Sequence, residues 1–93
     1  MNFLKKKRLK YDSLYEFLKK NNSNEVTLSF SKIENLINRK LPKSSKKYSS
    51  QFWSNGGHFH SYAWLNAGFK TNLKKLPVGQ IIFIKNEKIS YNY

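Results

Sequence analysis

Two histidines separated by a single residue are the side chains of this sequence best suited to acid–base or metal chemistry. His58 and His60 flank Phe59, and two histidines at this spacing in an extended segment can share a metal ion. Such a site also needs carboxylates or thiolates, but Cys is absent and the five acidic residues are all remote in sequence. We therefore expect no metal and no cofactor, and we predict that His58 and His60 contact phosphates or bases.

Other catalytic patterns are not found in the sequence. No serine lies in a Gly-x-Ser-x-Gly elbow, and Gly56-Gly57 is not followed by the Lys-Ser/Thr pair of a phosphate-binding loop. Gly57-His58 is similar to part of the Gly-Ser-His motif of HicA-type toxins, small basic proteins that cleave RNA with a histidine. Those toxins have a sheet-centred fold, whereas the helical patterns of this chain lie in its middle. We expect a protein that is not an enzyme.

The charge of the chain indicates a polyanionic partner. Eighteen Lys and Arg residues against five Asp and Glu residues give a formal charge of +13 over 93 residues. An A+T-rich genome enriches Lys and Asn, but it would also enrich the acidic residues, which are scarce. The self-repulsion of such a charge is typical of proteins that bind nucleic acid. There are two alternatives. The partner could be an acidic protein, or the positive charge could serve no specific partner.

The residues predicted to contact nucleic acid, apart from the two histidines, form three groups. A basic N-terminal arm, which could instead be a solvated tail, contains Lys5, Lys6, Lys7 and Arg8. The link between the last two predicted strands contains Lys74 and Lys75. The central segment contains Lys43, Lys46, Lys47, Ser50, Gln51, Trp53 and Asn55.

A strand and a helix precede that central segment. Residues 26–30 alternate between apolar and polar side chains, which predicts a short half-buried strand. Ser31-x-x-Glu34 has the spacing of a capping box, so a helix is predicted to begin at Ser31. Leu41-Pro42 marks the entry to the next helix, because proline suits the first turn of a helix.

The central segment, Lys43 to Trp53, is predicted to be one helix with two different faces. At about 100° per residue, Ser45, Tyr48, Ser49 and Phe52 share the side that packs. Lys43, Lys47, Ser50 and Ser54 lie on the opposite, cationic side. Two helices joined by a short turn, with Lys, Ser and Gln facing outward, are the pattern of a helix-turn-helix whose second helix enters a major groove.

Two residues at the end of this segment have two interpretations each. Trp53 could stack on bases, or it could cover the junction with the following helix. Asn55 could read adenine through its amide, or it could cap a helix end before Gly56.

The remaining patterns complete a small α+β domain. A helix is predicted around residues 11–18, with Asp12 as its N-cap, and a short helix runs from Phe59 to Ala67. Residues 69–73 and 80–85 are predicted to form a β-hairpin. The resulting fold is winged-helix-like, a helix-turn-helix core with an extra short helix and a C-terminal β-hairpin. The extra helix leaves open which helix faces the partner.

Length and composition indicate one domain in the cytoplasm. The chain is long enough for one modest core, and 16% of its residues are aromatic. We predict a basic arm over residues 1–10, one domain over residues 11–85 and a tail over residues 86–93. No run approaches the ~18 apolar residues of a membrane span, and the basic start lacks the apolar core of a signal peptide.

The sequence resembles a family of small, largely uncharacterised bacterial domains. The resemblance depends on Leu41-Pro42-x-Ser44-Ser45, Phe52-Trp53-Ser54-Asn55 and Ala63-Trp64-Leu65-x-Ala67-Gly68-Phe69, which are similar to L-P-x-S-A, W-W-x-N and A-W-x-x-A-G-W. Ser45, Phe52 and Phe69 depart from that pattern. The match covers roughly Tyr11 to Lys85, and it implies a shared fold and importance of Trp53 and Asn55. It implies no activity.

Three functions follow as hypotheses. The first is a non-enzymatic protein that binds double-stranded DNA through the basic helix-turn-helix face and the arm. The second is a small RNA-cleaving toxin that uses His58 or His60 as acid and base. The third is a phage or mobile-element accessory protein that blocks the nucleic-acid channel of a host defence enzyme.

Overall fold

The computed structural model describes residues 9–86, which form five helices and a three-stranded antiparallel sheet. The order is α1 (Asp12–Lys19), β1 (Glu25–Ser29), α2 (Phe30–Ile37), α3 (Ser44–Lys47), α4 (Ser49–Phe52), a 3₁₀ turn (Phe59–Ser61), α5 (Tyr62–Leu65), β2 (Phe69–Thr71) and β3 (Gln80–Lys85). The predicted α+β class is confirmed. Lys5, Lys6, Lys7 and Arg8 of the predicted arm, and residues 87–93 of the predicted tail, lie outside the described residues.

The sheet joins the strand before α2 to the C-terminal hairpin. Its order is β1-β3-β2, so β3 pairs with a neighbour on each side. Val26 lies opposite Phe83 and Leu28 opposite Ile81, and all four side chains are buried. This register places the apolar positions of the predicted alternation on the core side. The hairpin strand β2 ends at Thr71 rather than at Leu73, because Asn72 begins the connecting loop by accepting a bond from the N–H of Lys75.

The helices α1 and α2 cover the core with their predicted apolar stripes. Leu14 and Leu18 of α1 and Ile33 of α2 are fully buried. The prediction that Asp12 caps α1 is wrong, because Tyr11 occupies the cap position. Asp12 instead accepts hydrogen bonds from the N–H of Leu9 at 2.7 Å and from the hydroxyl of Tyr62 at 2.6 Å, and the second bond ties α1 to α5.

The cap of α2 lies two residues before the serine that the capping-box spacing predicted. Ser29 is its cap, with the Oγ atom accepting from the N–H of Lys32 at 3.0 Å. Ser31 is exposed within the first turn. Glu34 therefore has no capping partner at Ser31, and its carboxylate accepts from the N–H of Leu41 at 2.9 Å. The predicted capping box is wrong because β1 continues to Ser29 and leads directly into the helix.

The predicted helix from Lys43 to Trp53 is two helices of four residues each. The break is at Tyr48, whose backbone lies at φ −120° and ψ 55°. In a continuous helix the carbonyl of Ser45 would accept from the N–H of Ser49, but here it accepts from the indole N–H of Trp53 at 3.0 Å. Ser45 and Phe52 are buried as predicted, whereas Tyr48 is 52% exposed. The predicted helix from Phe59 to Ala67 is likewise divided into the 3₁₀ turn and α5.

None of the helices in residues 9–86 has the length and apolar character that crossing a membrane requires.

Candidate nucleic-acid interface

The exposed polar side of α3 and α4, together with the residue before it, is the candidate interface and is called here the basic face. Its exposed side chains are Lys43, Lys46, Lys47, Ser50 and Gln51. None of the three lysines forms a salt bridge with a carboxylate in residues 9–86. The sequence between Glu34 and Glu87 contains no acidic residue, so this half of the chain has no carboxylate to neutralise them. The basic face therefore has uncompensated positive charge.

Two lysines of the basic face hold their ammonium groups near aromatic rings. The Nζ atom of Lys46 lies 6.0 Å from the centre of the Phe30 ring, and that of Lys47 lies 5.6 Å from the centre of the Tyr48 ring. Contacts of this kind keep the stem on the protein while the ammonium group stays in water. These contacts restrict the motion of the Lys46 and Lys47 side chains, so their charges stay close to the surface of the protein.

A groove separates the basic face from the loop of residues 72–79. It measures about 430 Å³ and is lined by Phe30, Lys46, Ser49, Leu76, Pro77, Val78 and Gly79. Lys74 and Lys75 are exposed in the same loop, and Val78 is completely exposed. The structure thus brings the predicted hairpin lysines into the loop that forms the other wall of the groove.

Trp53 lies in the core and not on the basic face. Its side chain is 0% exposed, and its ring packs against Phe30, Phe52 and Trp64. A ring without exposed area offers no surface for a base. The interpretation of Trp53 as a stacking platform is therefore wrong for this conformation, and the interpretation as a packing residue is the one that the structure supports.

Asn55 does not cap a helix, because its side chain bonds to the free edge of β2. Its Nδ2 atom donates to the carbonyl of Thr71 at 3.0 Å, and its Oδ1 atom accepts from the N–H of Thr71 at 2.8 Å. The Oδ1 atom also accepts from the indole N–H of Trp64 at 3.0 Å. The N–H and the carbonyl of Thr71 both face away from β3, and the amide of Asn55 bonds to both of them, as a neighbouring strand would. The predicted helix cap is therefore wrong, and the predicted contact of Asn55 with adenine stays a prediction.

The two histidines continue an aromatic column that begins at Phe52. The ring of His60 stacks on Phe52 with centroids 4.1 Å apart, and His58 stacks on His60 at 5.3 Å. The carbonyl of Phe52 can only accept, so the Nε2 atom of His60 carries the hydrogen of their 2.6 Å contact. Burial lowers the pKa of His60, a shift that its bond to Phe52 opposes and the nearby His58 reinforces. His58 is exposed.

A family match covers almost all of the described residues. One family model, described as "Domain of unknown function (DUF7662)", matches residues 11–86. The chain belongs to this family. The predicted membership of a small uncharacterised domain family is therefore confirmed. No curated protein and no solved structure matches the chain.

The motif residues of this DUF7662 chain are architectural. The Oγ atom of Ser45 donates to the carbonyl of Pro42 at 2.6 Å, and the hydroxyl of Thr71 donates to the carbonyl of Trp53 at 2.5 Å. With the contacts of Trp53, Asn55 and Trp64, these bonds join α3, α4, α5 and β2. Sequence reasoning missed this hydrogen-bonded cluster, although the Trp-x-Asn spacing was a signal of it. The exposed lysines of the basic face lie outside the cluster.

The histidines of this DUF7662 chain have no further metal-ligating side chains beside them. Residues 9–86 contain no group of three or more His, Cys, Asp or Glu side chains that could hold a metal ion. The bond to Phe52 also occupies one ring nitrogen of His60, which leaves that atom unable to exchange a proton with a substrate in this arrangement. The RNA-cleaving function stays a prediction.

Proposed function

We propose that this protein binds nucleic acid without catalysis, and that its ligand is double-stranded DNA held against the basic face and the loop of residues 72–79. The observation that carries the proposal is the set of exposed lysines without a carboxylate partner within the described residues. Lys43, Lys46 and Lys47 follow one another within a single short segment. A series of fixed positive charges at this spacing suits the phosphates of a duplex backbone.

The order of elements supports a winged-helix-like arrangement of this interface. A strand lies between the first two helices and joins the C-terminal hairpin. The hairpin loop carries the exposed Lys74 and Lys75, and its residues 76–79 line the groove beside the basic face. Helices that follow a short turn place one exposed side toward a groove of DNA, and an adjacent basic loop adds phosphate contacts. In this chain the second helix is interrupted at Tyr48. After the interruption, α4 exposes two polar side chains, those of Ser50 and Gln51. These two side chains are the ones that we expect to reach base edges.

The lysine-rich composition favours affinity over sequence choice. Lysine supplies a point charge to a phosphate, whereas bidentate base contacts come more often from Arg, Asn and Gln. Gln51 is the one side chain of the basic face with such bidentate capacity. We expect a broad preference for duplex DNA with a modest sequence dependence, in a cytoplasmic protein, where the partner is available.

A charge-reversal pair tests the proposal. Lys47→Glu should weaken binding to every duplex by about tenfold, because it removes a phosphate contact and adds repulsion. Lys20→Glu makes the same charge change at an exposed position at the end of α1, and it should weaken binding by about twofold or less, as a change of overall charge alone would. The measurement is a gel shift or an anisotropy titration with duplexes of different sequence.

A second variant separates base contacts from phosphate contacts. Gln51→Ala should change the ranking of duplex sequences while leaving the average affinity within about threefold, since a base contact discriminates among sequences and a phosphate contact does not. Equal losses for Lys47→Glu and Lys20→Glu, together with an unchanged ranking for Gln51→Ala, would show that the basic face is not the interface.

A further inference from the structure

Three stacked rings lead from the core of the protein to its surface at the end of α4. Phe52 is buried, and the plane of the His60 ring lies within 20° of the plane of the Phe52 ring. The plane of the His58 ring lies within 13° of that of His60. His58 packs against His60 and is exposed, so the outermost ring of the column is accessible to solvent. The column therefore ends in an exposed aromatic ring.

Hydrogen bonds hold the ring of His60 and the backbone of His58 in place. The Nε2 atom of His60 donates to the carbonyl of Phe52 at 2.6 Å. The backbone of His58 is fixed because its carbonyl accepts from the Oγ atom of Ser61 at 2.8 Å and from the N–H of Ser61 at 3.3 Å. The fixed backbone of His58 and the stacking of its ring on His60 limit the motion of the ring, which lowers the entropic cost of ordering it when a ligand binds.

The chemistry around the column favours a nucleobase as the next ring. Phe52 directly follows Ser50 and Gln51, so the column begins where the basic face ends. The stretch of sequence between Glu34 and Glu87, which contains His58, has no acidic residue. Bases in an intact duplex expose only their edges, whereas an unpaired base exposes its face and stacks readily on aromatic side chains.

We propose that the outer face of His58 is a stacking site for one unpaired nucleobase of a single strand or of a strand that extends from a duplex. The bound base would continue the column as its fourth ring, parallel to His58. The inference rests on the proposed function, because it takes the ligand of the basic face to be nucleic acid. Stacking of one base on an aromatic side chain is worth about a tenfold gain in affinity or more.

The first measurement is a proton NMR titration of the whole chain with a short single-stranded DNA, with an RNA of the same sequence and with a blunt duplex. The chain contains two histidines, so their ring signals can be assigned with one variant each. A base above His58 shifts the ring protons of that histidine upfield. We expect this shift with the single strands and not with the blunt duplex. A response to only one of the two strands supports the site and identifies the sugar that it accepts.

The second measurement compares the ratio of single-strand affinity to duplex affinity in three variants. His58→Ala removes the ring and should lower the ratio by about tenfold. His58→Phe keeps a flat ring without the imidazole nitrogens and should retain the ratio. Phe59→Ala removes the neighbouring ring, which is 71% exposed and lies beside Tyr62 outside the column, and should also retain it.

The outcomes separate this inference from the proposed function. Duplex binding that Lys47→Glu weakens, with no upfield shift at His58 or with an unchanged ratio in His58→Ala, overturns the stacking site and leaves the proposed function standing. Equal losses in His58→Ala and His58→Phe also overturn it, because they assign the effect to the imidazole nitrogens. Single-strand binding with the shift, but without duplex binding, supports the stacking site and overturns the duplex ligand.

Discussion

At the residue scale, one amide side chain forms the hydrogen bonds that a further strand would form at the free edge of β2. Asn55 bonds to the N–H and the carbonyl of Thr71 and to the indole of Trp64. Three groups that would otherwise lose their partners in a partly buried region are thereby satisfied. Asn suits this position because its amide combines a donor and an acceptor at the spacing of a peptide group. The residue that the family resemblance singled out is therefore explained by architecture.

The first prediction is that Asn55→Ala lowers the free energy of unfolding by about 1 to 2 kcal/mol, because the backbone of Thr71 and the indole of Trp64 lose their partner at a site that is partly open to water. Asn66→Ala provides the matched control at an exposed asparagine after α5, and it should change the free energy by less than about 0.5 kcal/mol. Urea denaturation of the two variants and the wild type gives the comparison. Similar values for both variants would contradict the structural role of Asn55.

A second prediction concerns His60. Burial holds the pKa of His60 below the ordinary value for histidine, so the folded state favours the neutral ring. The unfolded chain then binds more protons, and the stability that the neutral ring contributes is present above about pH 6.5 and is lost as the pH falls below that value. The free energy of unfolding, measured from about pH 7.5 to pH 5, should fall less steeply in His60→Gln than in the wild type. Parallel curves would show that the His60 pKa is not lowered.

At the scale of elements, the patterns that depend on local chemistry were predictable and those that depend on tertiary contacts were not. The alternation at Val26 and Leu28 and the apolar run of β3 identified the sheet, since a strand shows its buried face directly in its sequence. The interruption at Tyr48 depends on a bond between the indole of Trp53 and the carbonyl of Ser45, eight residues away. The periodicity of apolar residues along a helix gives no information about such a bond, so the interruption could not be predicted from the sequence.

The same distinction applies to the candidate site. The lysines of the basic face were predictable as exposed, because charged side chains remain in water unless they are paired. The buried position of Trp53 was not, because an aromatic residue on the flank of a predicted helix suits either the surface or the core. Only the packing of Phe30 and Trp64 around it decides between them.

The start of α2 yields the third prediction. Ser29→Ala should lower the free energy of unfolding by about 1 kcal/mol, because it removes the oxygen that accepts from the N–H of Lys32. Ser31→Ala changes the serine that the capping-box spacing singled out, and it should cost less than about 0.5 kcal/mol at an exposed position in the first turn. Thermal or urea unfolding distinguishes the two. A larger loss for Ser31→Ala would place the helix start where the sequence pattern predicted it.

At the scale of the whole molecule, the distribution of charge is as uneven as its total. The formal charge is +13, and four of the five acidic residues occur by Glu34, in the first part of the chain. In the part that contains the basic face and the hairpin, every charged residue before Glu87 is a cation. A polyanion that approaches this part meets positive potential without local screening, which favours fast association at low salt.

The fourth prediction follows from that distribution. With about six phosphate contacts, the affinity for duplex DNA should fall roughly a thousandfold between about 50 and 200 mM salt. Lys47→Glu should reduce the slope of log affinity against log salt concentration by about one, because one phosphate contact is lost. Anisotropy titrations at several salt concentrations measure both slopes. An affinity that does not respond to salt would contradict a phosphate-based interface.

The position of β3 in the sheet has a consequence for synthesis on the ribosome. The central strand is the last element of the described chain, and β1 is separated from it by about half the length of the protein. While the polypeptide is being translated, β1 and β2 have no partner until residues 80–85 have left the exit tunnel. Closure of the sheet is therefore a late event, because it requires the pairing of β3 with strands that precede it in the chain.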